Sequence, residues 1–182
     1  MKVFYDCEFI EDGSTIDLIS IGMVTEDRRE LYLQNNECRF KQANGWVRSH
    51  VFPSLRYFDA KRMRPLDGPY DAPDARSVWA SKSGIASSIE RFIGDDAPEW
   101  WGYYSAYDHV ALCQLFGPMM SLPQGWPMWT NDLQQWHYQL DTFHDYPSLS
   151  DRPNCSAITG EHNALNDARW NRDAWHHLAS LC

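Results

Sequence analysis

The sequence predicts an α/β fold in which helices flank a mixed sheet of five strands. Two observations support it: three strand-like segments follow one another at the N-terminus, and helical and strand-like segments alternate after residue 84. A meander followed by interleaved helices and strands is typical of a mixed sheet with helices packed against it. A length of 182 residues is enough for one sizeable core, so we expect residues 1–182 to form a single domain.

Short runs of apolar residues predict the strands. The segments "DLISIGMV" and "ELYLQN" are joined by the polar link "TEDRR", which is typical of a hairpin. The predicted strands, in chain order, are Lys2–Phe9, Asp17–Val24, Glu30–Asn35, Glu99–Tyr104 and Met128–Thr130.

Apolar residues at intervals of three and four predict the helices, as in the series Ile85, Ile89, Phe92. The predicted helices are Gln42–Val51, Gly84–Ile93, Tyr107–Gly117, Asn131–Leu140 and Ala164–Ala179.

The stretch Pro53–Ser83 has four prolines and no sustained periodicity, which is typical of a long loop. It is locally positive, with six basic residues against four aspartates. The basic residues are Arg56, Lys61, Arg62, Arg64, Arg76 and Lys82. Two interpretations stay open: an ordinary solvated loop, or a lid that contacts phosphate groups.

Charge and cysteine content limit the function classes. With 25 acidic and 16 basic residues the net charge is -9, so the chain is a poor candidate for holding long nucleic acid by charge alone. An acidic protein still binds nucleic acid where bound metal ions supply positive charge. The five cysteines are widely spaced without a CxxC pair, no apolar run is long enough to span a membrane, and acidic residues interrupt the N-terminus too early for a signal peptide. We therefore expect a cytoplasmic protein with reduced thiols and no membrane partner.

Two carboxylates stand at alternate positions of the first predicted strand. Side chains two apart on a strand point to the same face, so Asp6 and Glu8 project together while Cys7 points the other way. Two close, half-buried carboxylates repel each other unless one is protonated or a cation lies between them. The pair therefore indicates a divalent metal site, although Glu8 at a solvated strand end would need no metal.

The segment "EHNALNDARW" adds a histidine and a third acid. His162 and Asp167 would be about 140° apart on one helix, so His162 is expected in the loop before the helix and Asp167 inside its first turns. A histidine beside a helix-borne carboxylate suits a general base next to a metal ligand. The alternatives are a packing or capping role for His162 and an ion pair of Asp167 with Arg169.

Asp108 is predicted near the N-terminus of a helix that directly follows a strand. Acidic residues are common there because they complement the helix dipole. Taken alone, Asp108 therefore has no functional weight.

Together these segments resemble the three exonuclease motifs of the DEDDh superfamily of 3′–5′ exonucleases. The motifs are "DCEF" on the first strand, "WGYYSAYDHVAL" at a strand-to-helix junction and "HNALNDA" at the start of the last helix. The resemblance covers nearly the whole chain and is nearest to the small bacterial and phage exoribonucleases around ribonuclease T and oligoribonuclease. It implies a ribonuclease H-like fold, and His162 in place of a tyrosine implies the histidine branch.

The resemblance also implies the site and the reaction. Two Mg²⁺ ions, or Mn²⁺ in their place, would be held by Asp6, Glu8, Asp108 and Asp167, and His162 would accept the proton of the attacking water. The substrate would be single-stranded RNA or an RNA 3′ end, the product a nucleoside 5′-monophosphate, and the enzyme a homodimer.

Aromatic side chains near these motifs are candidates for binding the terminal bases, because single strands are commonly held by stacking. Phe9 follows Glu8, and Trp46 lies in the short helix after the hairpin, where ordinary packing is the alternative. Three other functions stay open: a 3′–5′ exodeoxyribonuclease, a catalytically silent binding module, and a phosphodiesterase for small nucleotides.

Overall fold

The computed structural model describes residues 1–66, 78–141, 145, 147–152, 155 and 160–182. The described strands are β1 Lys2–Glu11, β2 Ile16–Thr25, β3 Glu30–Asn35, β4 Phe58–Asp59, β5 Arg64–Pro65, β6 Trp79–Ala80, β7 Glu99–Gly102 and β8 Asn131–Asp132. The described α-helices are α1 Gly45–His50, α2 Lys82–Ile93, α3 Ala106–Gln114, α4 Leu133–Leu140 and α5 Ala164–Ala179. Short 3-10 turns are described at Phe40–Gln42, Phe52–Ser54, Met119–Ser121 and Leu149–Asp151.

The architecture is α/β, with a mixed sheet between helices. Its strand order is β6-β3-β2-β1-β7-β8, and β4 and β5 form a separate hairpin. β1, β2 and β3 are antiparallel to one another, whereas β7 runs parallel to β1 and β8 runs parallel to β7. β1 therefore lies in the interior of the sheet, with β2 and β3 on one side and β7 and β8 on the other.

The prediction of five strands is wrong, because the described residues place six in this sheet. The additional strand is β6, whose two residues pair with the end of β3 in a segment predicted to be irregular. A two-residue strand is too short to show an alternating pattern, so sequence periodicity does not reveal it.

The strand predicted over Met128–Thr130 is also misplaced, since β8 is Asn131–Asp132. The apolar residues of this segment suggested a buried strand, but Met128 and Trp129 are exposed. The predicted strand Glu99–Tyr104 ends at Gly102, and Tyr104 has a φ of 52°, which is incompatible with a strand.

Helix boundaries shift where polar side chains cap the first turn. α2 begins two residues before the predicted start because Ser81 caps it, and α4 begins at Leu133 because Asp132 accepts two backbone N–H groups there. The helix predicted to reach Gly117 ends at Gln114. The helix predicted over Gln42–Val51 is shorter, since α1 begins at Gly45 after the Asn44 cap and ends at His50.

The two faces of the sheet are covered by different helices. Apolar residues of β1 at positions 3, 5 and 7 pack in one cluster with α2 and α3. On the opposite face, Val24 packs with Leu165 and Ala168 of α5, and Phe4 contacts Trp175 of α5. Even-numbered residues of β1 therefore face α5, and these include Asp6 and Glu8.

The described part of the segment 53–83 contains the β4–β5 hairpin and β6 as well as irregular backbone. Arg62 pairs with Asp59, and Lys82 pairs with Asp17. Arg76 lies outside the described residues. The phosphate-contacting lid stays a prediction.

Among the residues described, no helix is long and apolar enough to cross a membrane.

Candidate active site

The first two acids lie on the face of β1 that α5 covers. Asp6 is paired across the sheet with Gly22 and Glu8 with Ser20, and a β-bulge follows Glu8. Cys7 between them is buried in the core on the opposite side of the strand. The predicted common orientation of the two carboxylates is therefore confirmed. A bulge locally changes the strand's direction, and here it separates Phe9 from the regular register.

Gly22 allows α5 to approach these acids. A Cβ atom at Gly22 would lie 2.3 Å from the backbone of Ala164 and Leu165, a distance at which something must shift. Only glycine lets the first turn of α5 rest directly on β2 at this point. Asp167, one turn further along α5, is thereby brought next to the β1 carboxylates.

Two polar contacts fix the position of α5. The side chain of Asn163 caps the helix by accepting the backbone N–H of Asn166. One turn beyond Asp167, the buried amide of Asn171 donates to the carbonyl oxygen of Tyr5 at 2.9 Å. Since Tyr5 precedes Asp6 directly, this bond ties the helix-borne acid to the strand-borne acids.

Asp108 is attached to β1 by its own hydrogen bond. Its Oδ1 accepts the backbone N–H of Cys7 at 2.7 Å, and the side chain is 6% exposed. The tight turn before α3 depends on Gly102, where a Cβ atom would lie 2.5 Å from the Ser105 side chain. The acid therefore bonds to β1 instead of capping its own helix.

All four predicted acids and His162 line one cavity of about 460 Å³. Carboxylate oxygens of Asp6, Glu8 and Asp167 lie within 4.8 Å of one another. The cavity is lined by Asp6, Cys7, Glu8, Phe9, Tyr103, Tyr104, Asp108, Ser148, Ser150, Glu161, His162, Asp167, Trp170 and Asn171. Acids from three separate parts of the sequence thus converge in one place.

Burial and mutual repulsion raise the pKa of each of these carboxyls. Desolvation, together with the charges of Asp167 and Asp108, raises the pKa of Glu8 to about 8. The pKa of Asp6 lies well above its ordinary value through burial and then the charges of its three acidic neighbours. Without positive charge nearby, the cluster therefore keeps protons at neutral pH.

The pKa values of Asp108 and Asp167 are also raised, although hydrogen bonds oppose the rise. Burial raises both to about 7, but each carboxylate also accepts backbone N–H groups, which favours the ionised form. For Asp108 the main donor is Cys7, and for Asp167 the donors are His162 and Asn163. Backbone hydrogen bonds therefore oppose the effect of burial at both of these acids.

The donor set fits a divalent cation of the magnesium type. Mg²⁺ prefers a few carboxylate oxygens together with water and phosphate oxygens, and the cluster offers only carboxylates. A divalent cation bound among the ionised acids would offset their negative charges, as the protons do when no cation is bound. The carboxylates close enough together to hold it are those of Asp6, Glu8 and Asp167, and Asp108 lines the same cavity.

His162 lies in the loop before α5, as predicted, and its backbone has a φ of 64°. Its carbonyl oxygen accepts the Ser54 hydroxyl at 2.5 Å, and the neighbouring Asn163 amide donates to the Ser54 carbonyl at 3.3 Å. A left-handed backbone is uncommon for a residue other than glycine and needs support from its surroundings. Ser54 provides that support and places the imidazole at the cavity wall.

The two predicted base-binding aromatics lie on different sides of the acids. Phe9 lines the cavity and meets Tyr107 edge-on at 6.1 Å between ring centroids. Trp46 is 52% exposed, stacks on His50 at 4.8 Å and contacts His162 edge-on at 4.8 Å. Core packing as the role of Trp46 is wrong, because half of its surface is open to solvent beside His162.

Several cavity residues escaped the sequence prediction. The cavity is also lined by Tyr103, Tyr104, Ser148 and Ser150. Ser54 supports His162 by donating a hydrogen bond to its carbonyl oxygen. Tyr103 and Tyr104 fall inside the quoted motif "WGYYSAYDHVAL", so their position next to Asp108 was a usable signal. Ser148 and Ser150 follow a stretch without periodicity, and nothing in the local sequence indicates their position.

Comparisons with known proteins agree on one family. A family model described as the 3′–5′ exoribonuclease Rv2179c-like domain matches residues 67–179. Two proteins from strains of Mycobacterium tuberculosis, named 3′–5′ exoribonuclease Rv2179c and 3′–5′ exoribonuclease MT2234.1, are each 42% identical to this chain over 172 residues. The alignment covers 93% of this chain and 88% of each relative.

Proposed function

The chain belongs to the Rv2179c-like 3′–5′ exoribonuclease family, and from this premise we propose that it hydrolyses RNA from the 3′ end, one nucleoside 5′-monophosphate at a time. The observation that carries the proposal is the convergence of Asp6, Glu8, Asp108 and Asp167 with His162 in one cavity. A nuclease needs positive charge near the scissile phosphate and a base near the attacking water, and this cavity has groups for both.

We further propose that the enzyme is a single DEDDh domain of the histidine branch with a ribonuclease H-like fold, near ribonuclease T and oligoribonuclease. Three observations support this: β1 lies in the interior of a mixed sheet, its two acids face the last helix, and His162 precedes that helix. The order of the acids along the chain matches the three motifs quoted above.

The proposed cofactor is a pair of Mg²⁺ ions, which Mn²⁺ could replace. Asp6, Glu8 and Asp167 would hold one ion, and Asp6 with Asp108 the other. When bound, such ions supply positive charge to the phosphate and lower the pKa of a bound water. The protein's own task is to hold its acids ionised and fixed, which the hydrogen bonds from the Cys7, His162 and Asn163 backbones favour.

His162 is the proposed base that takes the proton from the attacking water. Histidine is the side chain that most often serves as a general base in enzymes, so it suits this role. Its backbone is held by Ser54, and its ring lies against Trp46. Those two contacts limit the movement of the ring, and positioning is a large part of the rate enhancement of such reactions.

Phe9 and Trp46 are the proposed contacts for the terminal bases. Phe9 reaches the cavity from the strand that carries the acids, and the exposed face of Trp46 lies beside the proposed base. Stacking on an aromatic side chain is worth about 1–3 kcal/mol per base and tolerates any base. Exonuclease action on varied sequences requires that tolerance.

The test is digestion of a 5′-labelled RNA oligonucleotide with and without Mg²⁺. We expect a ladder shortened from the 3′ end and nucleoside 5′-monophosphate as product, with at least a thousandfold loss of rate in Asp167→Asn. Ser14→Ala, a change of an exposed turn residue, serves as the matched control. A wild-type protein that leaves the RNA intact, or an equal rate in Asp167→Asn, would contradict the proposal.

Two further proposals concern the setting of the enzyme. We propose a cytoplasmic location, supported by five free cysteines, three of them buried. We also propose a homodimer, which light scattering after size-exclusion chromatography would test by giving twice the chain mass of 21.2 kDa.

A further inference from the structure

Four hydroxyl groups meet in one wall of the cavity, and we call them the hydroxyl cluster: Tyr103, Tyr104, Ser148 and Ser150. The Tyr103 hydroxyl contacts the Ser148 hydroxyl and lies 3.5 Å from that of Ser150, and the two serine hydroxyls are 3.0 Å apart. Tyr104 lines the same cavity, and its ring packs on that of Tyr103. None of these residues has a role in the chemistry proposed above.

The hydroxyl cluster is held in place by packing. The Tyr103 ring meets the buried Trp170 at 4.9 Å and Tyr104 at 4.5 Å between centroids. Tyr104 is 60% exposed and has a φ of 52°, an uncommon backbone conformation for a tyrosine. Such backbone outliers tend to concentrate at functional sites, and Tyr104 shares this property with His162 across the same cavity.

The acids and the hydroxyl cluster line the same cavity of about 460 Å³. This volume lies in the range of roughly 300–1,000 Å³ found for small-molecule sites. Given the proposed function, on which this inference rests, the scissile phosphate lies at the acids. The remainder of the cavity, which the hydroxyl cluster lines, is then next to the sugar attached to that phosphate.

The hydroxyl cluster has acceptor capacity for one further donor. Tyr103, Ser148 and Ser150 together have three O–H donors and six lone pairs, by the usual count of one donor and two acceptors for each hydroxyl. Three contacts among them use at most three donors and three lone pairs, which leaves acceptors facing the cavity. Asn171, which also lines the cavity, uses its amide nitrogen to donate to the Tyr5 carbonyl.

We propose that the hydroxyl cluster binds the ribose 2′-hydroxyl of a nucleotide at the RNA 3′ end and so makes the enzyme select RNA over DNA. The 2′-hydroxyl is the donor and acceptor that distinguishes the two nucleic acids. A deoxyribose in this position leaves the hydroxyl cluster without a hydrogen-bond partner. A site that hydrogen-bonds a substrate hydroxyl discriminates against a substrate that lacks this group. The acidic residues elsewhere in the cavity wall do not prevent this contact with the 2′-hydroxyl, because all four residues of the hydroxyl cluster are uncharged.

The test compares RNA and DNA oligonucleotides of one sequence with RNA that carries a single 2′-deoxynucleotide at the last or the penultimate position. For the wild-type enzyme we expect kcat/KM to fall about tenfold with one of the two single replacements and further with DNA, as expected for a lost hydrogen bond. In Tyr103→Phe and in the double variant Ser148→Ala/Ser150→Ala, RNA should be cleaved about tenfold more slowly and DNA at the wild-type rate within twofold.

The two variants and the modified substrates form a double-mutant cycle. Once either the cluster hydroxyl or the 2′-hydroxyl has been removed, removal of the other should lower kcat/KM little further. Ser14→Ala is the control for loss of a serine hydroxyl elsewhere, and the modified substrates test wild-type protein even where a variant folds poorly. Equal rates on RNA and DNA, or an unchanged RNA-to-DNA ratio in both variants, would overturn the inference while leaving the exonuclease function intact. A wild-type enzyme inactive on every substrate would overturn both.

Discussion

Burial of the Glu8 carboxylate, together with its repulsion by the other active-site acids, should lower the stability of the metal-free protein, and Glu8→Gln should recover it. In the unfolded chain Glu8 releases its proton near its ordinary pKa of 4.5, whereas in the folded protein burial and the charges of Asp167 and Asp108 raise the pKa to about 8. Between those values the unfolded state binds fewer protons than the folded state. The free energy of unfolding therefore falls as the pH rises through this window.

The size of the effect follows from the pKa difference. At about 1.4 kcal/mol for each pKa unit, the loss grows from about 1 kcal/mol at pH 5 to about 3 kcal/mol at pH 7, and approaches about 5 kcal/mol above pH 8. Glutamine keeps the shape of the side chain and cannot ionise. We expect Glu8→Gln to raise the free energy of unfolding by about 3 kcal/mol at pH 7, or the Tm by about 6–12 °C for a chain of this size.

The assay is thermal unfolding in EDTA at pH 5, 7 and 8, with Glu90→Gln, on the exposed face of α2, as the matched control. Mg²⁺ should then raise the Tm of the wild type more than that of Glu8→Gln, because the variant has less repulsion to relieve. If Glu8→Gln is no more stable than wild type at pH 8, or if its advantage is as large at pH 5, the proposed repulsion is not what determines the stability of the site.

Three other predictions concern the parts that position the site. Gly22→Ala should destabilise the protein by about 1–3 kcal/mol and reduce RNA cleavage, because its Cβ would collide with the α5 backbone, as chemical unfolding would show. Ser54→Ala should lower kcat about three- to tenfold with KM unchanged within twofold, because the loop of His162 loses a hydrogen bond. Trp46→Ala should raise KM for RNA about tenfold with a smaller effect on kcat, as steady-state kinetics would show.

Matched changes separate these effects from general damage. Gly45→Ala introduces a Cβ with no atom within 4 Å, so its stability should stay near that of wild type. Ser49→Ala removes a hydroxyl that bonds only within α1 and should leave kcat unchanged. A Gly22→Ala protein as stable as Gly45→Ala would contradict the close approach of α5, and equal kcat values for Ser54→Ala and wild type would remove Ser54 from the positioning of His162.

The sequence predicted best where local signals and tertiary packing agree. α5 was predicted with both ends correct, since Asn163 is a strong helix cap and the apolar residues of the helix follow one face. β3 was likewise predicted with its correct bounds. The common orientation of Asp6 and Glu8 followed from the two-residue period of a strand alone.

What the sequence could not predict depends on contacts between distant segments. The side chain of Asp108 was expected to cap its helix, but it bonds to the backbone of Cys7, a residue far away in the chain. Ser148 joins Tyr103 only because the segments after β7 and α4 meet in space. Neither hydrophobic periodicity nor helix-capping rules predict contacts between distant segments, so the hydroxyl cluster can be identified only from the folded structure.

α5 carries Asp167 and follows His162, whereas Asp6 and Glu8 lie on β1 and Asp108 lies in the first turn of α3. β1 and α3 therefore bring together three of the four acids, and the complete cluster forms only when α5 packs against β1.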